Sequence, residues 1–73
     1  MPKYVIDLSW DSEAAVWVAT SKDIPGLILE SGSLDALIER ARFAAPELLA
    51  LNGLQDKTLS MCFRSERYES VSL

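Results

Sequence analysis

The sequence predicts an α+β fold in the order β-β-β-α-β: an antiparallel meander, one main helix on one face, and a returning strand. Three observations carry this. Tyr4, Ile6, Leu8 and Trp10 alternate with Val5, Asp7 and Ser9, the period of a strand. Leu34, Leu37, Ile38, Ala41, Ala45 and Leu48 recur at helical spacing. Leu59, Met61 and Phe63 alternate with Ser60, Cys62 and Arg64, a strand period again.

The first strand runs from Tyr4 to Trp10, and the polar turn formers Asp11-Ser12-Glu13-Ala14 break it. Ala15 to Ser21, rich in β-branched and aromatic residues, is the second strand and closes a hairpin. Lys22-Asp23-Ile24-Pro25-Gly26 interrupts the pattern, because Pro25 removes a ladder donor and Gly26 permits positive φ. Pro25-Gly26 therefore sets the turn into a short third strand, Leu27 to Glu30. In strand two, Val16 and Val18 share one face and Trp17 takes the other, so a single helix leaves some apolar surface bare, as at an interface.

Ser31-Gly32-Ser33 precedes the helix. Ser33 is its N-cap, and Asp35 lies near its positive end. Pro46 costs a helix interior about 3 kcal/mol, so the helix either kinks there or splits, with Pro46 opening a second short helix. Continuation of the stripe through Leu48 and Leu49 favours a near-continuous helix, ended by Asn52-Gly53. The fourth strand spans Lys57 to Arg64, and Ser65 to Leu73 either extends the sheet or frays.

With 73 residues the chain is one domain, residues 1–73. A domain of this size buries only about 60–65% of its unfolded surface. Cys62 is the one cysteine and there is no histidine, so neither an internal disulfide nor a four-ligand zinc shell can add support. A homodimer or higher oligomer is the expected source of further burial. No apolar run approaches the length of a membrane helix, and Met1-Pro2-Lys3-Tyr4 does not open a signal peptide, so a cytoplasmic location is expected.

The formal net charge is −4, unevenly placed. Asp7, Asp11, Glu13, Asp23, Glu30, Asp35 and Glu39 outnumber Lys3 and Lys22 in the first half, whereas the five arginine and lysine residues from Arg40 onward face four carboxylates. Such an acidic surface steers a basic partner, although solubility charge reads the same way.

Catalytic readings find little. Asp7, Glu30 and Glu39 could form a Mg²⁺-binding carboxylate cluster, but on these elements they read as solvent-facing charges. Cys62 has no histidine to act as its base, and Gly26, Gly32 and Gly53 are isolated turn residues rather than a phosphate loop. The chain is therefore not expected to be an enzyme or to take a cofactor or metal. Arg40, Arg42, Lys57, Arg64 and Arg67 could form a nucleic-acid patch, but Trp10 and Trp17 sit in the acidic half, apart from these cations. Direct nucleic-acid binding is not expected, and the tryptophans read as core or interface anchors.

The run from Trp10 to Leu27 carries a family resemblance. Its marks are Trp10-Asp11-x-Glu13-Ala14, Val16-Trp17-Val18-Ala19 and Asp23-Ile24-Pro25-Gly26-Leu27, followed by Glu30, Leu34 through Leu37, Arg40, Ala45-Pro46-Glu47-Leu48-Leu49 and Asn52-Gly53. Over residues 4–53 the chain resembles the HicB-like antitoxins, and most closely their short, uncharacterised branch without the C-terminal DNA-binding domain. The resemblance implies a partial RNase H-like fold. It also implies a partner, a small basic HicA-like toxin that cleaves mRNA with a histidine and whose active surface the antitoxin covers. Asp11, Glu13, Trp17 and Asp23, around the hairpin and the loop after it, are the expected partner contacts. The alternative is a stand-alone oligomeric interaction or regulatory module without a toxin.

Overall fold

The computed structural model describes residues 3–54 and 58–73. It is α+β, with strands β1 (Lys3–Asp11), β2 (Val16–Thr20) and β3 (Ile28–Ser31), helix α1 (Leu34–Leu51) and strand β4 (Ser60–Glu66). The strands form one mixed sheet in the order β3-β2-β1-β4. β1 pairs antiparallel with β2 and parallel with β4, and β2 pairs antiparallel with β3. The parallel pair explains the helix, since parallel strands cannot be joined by a tight turn and need a long crossover.

Registry sorts the side chains. Leu8 faces Ala19, Trp10 faces Trp17 and Ile6 faces Phe63, so these residues share the helix side of the pleat. Ile6, Leu8, Ala19, Leu37, Ala41, Ala45 and Leu49 are buried together between sheet and helix, with Trp17, Leu29, Met61 and Phe63 packed around them. Ala19, Ala41 and Ala45 are fully inaccessible, so small side chains fill the middle of the seam.

The β2–β3 connection contributes more to the core than its polarity suggests. Ile24 and Leu27, at 0% and 3% exposure, point inward on either side of Pro25-Gly26. The Leu27 amide donates to the Ile24 carbonyl at 3.3 Å and Gly26 has φ +85°, the signature of a turn with proline then glycine at its centre. Leu27 thus closes the turn, and β3 begins one residue later than the expected Leu27–Glu30. In the hairpin, Ala15 has φ +55° and belongs to the turn, so β2 starts at Val16 rather than at Ala15.

The Ser33 hydroxyl accepts from the Ala36 amide at 3.2 Å, capping the helix as expected. Pro46 lies inside one 18-residue helix and does not split it. The Arg42 carbonyl forgoes its usual donor there. Burial of Ala45 and Leu49 on the helix side offsets that loss. At the far end the Gly53 amide donates to Ala50 O and the Leu54 amide to Leu49 O, at 3.1 and 2.9 Å, with Gly53 at φ +95°. This is a Schellman closure, and Leu54 packs on the core as the motif requires. β4 covers Ser60–Glu66, later than the expected 57–64, and Lys57 lies outside the described residues.

Two stability predictions follow from these backbone demands. Gly26→Ala has room for its methyl, whose nearest neighbour is Leu48 Cδ2 at 3.7 Å. Its φ is still strained, so it should lose about 1–2 kcal/mol in urea melts. Pro46→Ala should raise the urea midpoint, by no more than the ~3 kcal/mol that separates proline from alanine in a helix interior.

Candidate functional site

The hairpin end of the sheet is locked by Asp11. Its Oδ1 accepts from the amides of Glu13 and Ala14 at 3.0 and 3.2 Å, an Asx turn that leaves the Glu13 side chain exposed at the tip. Below it on the helix side, Trp10 and Trp17 meet edge to face with centroids 5.5 Å apart. The Arg67 guanidinium carbon lies 4.1 Å from the Trp10 ring centre. The expected separation of the tryptophans from the basic half is therefore corrected. Parallel pairing of β4 with β1 brings the chain after Glu66 back alongside Trp10, and the ring face attracts the cation. Trp17 is half buried and packs on the core.

Asp23 has a different position. β2 ends at Thr20 opposite Asp7, which leaves the start of β1 without a partner on that side. Asp23 Oδ2 accepts from the Val5 amide at 2.8 Å, and the Ser21 hydroxyl donates to the Val5 carbonyl at 2.6 Å. Two side chains thus replace the missing ladder bonds. Val5 and Asp11 are six residues apart along β1, about 20 Å at strand rise. The structure therefore brings Asp11, Glu13 and Trp17 to one end of the sheet and places Asp23 at the other.

The face of the sheet away from the helix is bare. Registry sets Val16 beside Asp11, Val18 between Ser9 and Glu30, and Thr20 between Asp7 and Ile28. Val5, Cys62, Arg64 and Glu66 continue the same face on β1 and β4. Ile28 is 74% exposed and the two valines are half buried. Apolar and charged side chains thus interleave: Val5 and Val18 stand on the inner strands beside Asp7, Ser9 and Thr20, Ile28 lies on the edge strand, and Lys3 and Arg64 share the face with Asp7, Asp11, Glu30 and Glu66. Asp7 is held by Arg64 at 2.9 Å, whereas among the described residues Asp11, Glu13 and Glu30 form no ion pair. A depression of about 460 Å³ flanks this face, lined by Asp7, Leu8, Ser9, Lys22, Arg64, Ser65 and Glu66. Its Asp7–Arg64 pair spans the β1–β4 boundary.

Asp7, Glu30 and Glu39 do not come together as a cluster. Asp7 and Glu30 lie on strands separated by β2, and Glu39 is on the helix. Among the described residues no group of three or more metal-capable side chains converges. The basic residues are dispersed as well. Arg40 donates to the Glu30 carbonyl at 2.9 Å, Arg42 pairs with Glu39, Arg64 with Asp7, and Arg67 with Glu69. No helix is long and apolar enough to cross a membrane. Ile28 and Glu30 were missed as members of the bare face. Leu27-Ile28-Leu29 is uniformly apolar, and such a run carries no alternation from which to read its faces.

The bond from Asp23 makes a direct prediction. Asp23→Ala should cost about 1 kcal/mol, the value of an exposed charge-assisted bond, and should speed amide exchange at Val5. Asp23→Asn keeps an acceptor and should lose less. Equal melting of both variants with the parent would show the bond to be dispensable.

Comparison with known proteins identifies the family. A family model described as a domain of unknown function (DUF1902) matches residues 3–71, nearly the whole chain, and the chain belongs to that family. No curated protein matches. A solved structure, that of hypothetical protein TTHA1013 from the extremely thermophilic bacterium Thermus thermophilus, is similar in sequence and fold. It is 34% identical, with a TM-score of 0.74, and the match covers 97% of this chain and 99% of that one.

Proposed function

We propose that this member of the DUF1902 family is a HicB-like antitoxin that binds a small, basic, HicA-type mRNA-cleaving toxin and blocks its active surface. The observation that carries the reading is the bare face of the sheet. It combines apolar side chains at Val16, Val18 and Ile28 with uncompensated carboxylates at Asp11, Glu13 and Glu30. Apolar side chains set among polar and charged ones make up a typical protein interface, and the carboxylates without an ion pair suit a cationic partner. The sequence marks shared with HicB-like proteins, from Trp10 to Leu27, supply the toxin as that partner.

On this reading the chain supplies no chemistry. It excludes RNA from the toxin by steric cover, and its carboxylates occupy the cations that would hold phosphate. Asp11 and Glu13 lie at the contact. Trp17 supports them from beneath the hairpin, and Asp23 acts by bracing β1.

The test begins with capture of partners on the tagged chain from extract of its native cells. The expected partner is a small basic protein that contains histidine and cleaves RNA, and whose cleavage stops as this chain is titrated in. Glu13→Lys should weaken the complex about tenfold through lost attraction and faster escape, and Val18→Asp by more, because it buries a charge under the partner. RNA cleavage that continues at saturating antitoxin would refute the proposal. If the chain captures only itself, it is a stand-alone oligomeric module.

A further inference from the structure

β4 is an edge strand, and its outer row of amides and carbonyls has no neighbour in the sheet. The helix packs mainly on β2 and β3, so Met61 and Phe63 on β4 remain half exposed. Residues 67–73 continue from β4 without secondary structure, and Tyr68, Val71 and Leu73 are largely exposed. The family match nevertheless reaches residue 71, so this segment is part of the domain.

The molecule's dimensions agree with an uncovered arm. Its radius of gyration is 13.8 Å. A compact chain of this length has about 11 Å. Its accessible surface is 5347 Å². A compact monomer of this mass exposes about 4,500 Å². The surplus, about 850 Å², is close to what one partner contributes to a standard interface.

We propose that β4 and the arm after it pair with the same segment of a second copy, antiparallel, about a twofold axis through Ser65. An axis normal to the sheet keeps both helices on one side and must pass through a residue, since facing residues then share a face. Charge selects which residue. An axis through Arg64 or Glu66 sets that residue against its own charge. An axis through Ser65 sets Arg64 opposite the partner's Glu66, twice over, as opposite charges across a strand pair prefer. It also sets Cys62 opposite the partner's Tyr68, and Leu59 opposite the partner's Val71. The arm finds in the second copy the cover it lacks in its own, and two four-stranded sheets become one of eight. The bare face is left free, so this assembly stands or falls independently of the toxin reading.

The experiment is sedimentation equilibrium of the full chain, joined to cross-linking. The parent chain should be a dimer. Ser65→Cys should link into a covalent dimer under mild oxidation, because facing Cα atoms on paired strands lie about 4.5–5.5 Å apart, within disulfide reach. The parent should not link through Cys62, which faces Tyr68. Glu66→Arg, which leaves the Arg64–Asp7 bond intact, should weaken the dimer about tenfold while circular dichroism shows a folded chain. A parent monomeric at every concentration overturns the proposal. So does a dimer that Ser65→Cys cannot link or Glu66→Arg does not weaken.

Discussion

Among the described residues a single helix covers one face of the sheet, and most of the molecule's behaviour follows from that. The helix lies over β2 and β3. That position buries Ile6, Leu8 and the loop residues Ile24 and Leu27, and it leaves the opposite face and the β4 edge uncovered. A larger domain would close both with further helices. Here the bare face and the bare edge are distinct surfaces, one mixing apolar side chains with carboxylates and the other presenting unpaired backbone groups.

Much of the fold was legible because local rules decided it. The strand period of β1, the Ser33 cap, the Pro25-Gly26 turn and the Asn52-Gly53 stop are each set by residues close in sequence, and each stands where expected. Boundaries moved by a residue or more where a turn absorbed a strand residue, as at Ala15 and Leu27. Pro46 was ambiguous because its local cost and its tertiary reward oppose each other, and only packing could decide.

The candidate site was less legible because it depends on pairing at long range. Asp11, Glu13 and Asp23 are alike in sequence, acidic residues in or beside turns. The structure gives them different duties. Asp11 ties a hairpin, Glu13 is free, and Asp23 replaces ladder bonds for a strand it never joins. Arg67 over Trp10 was invisible for the same reason, because fifty-odd residues separate them and only the parallel register of β4 brings them together. The sorting of faces around β3 needed that register too.

The alanines at the seam have a further consequence. A core of leucines tolerates change because neighbouring side chains can exchange rotamers and share the error. Ala19, Ala41 and Ala45 have no rotamers to exchange. All three are fully buried, so a larger side chain at any of them must displace its neighbours. The seam is therefore the part of the molecule least tolerant of larger side chains, while substitutions on the two uncovered surfaces leave it undisturbed.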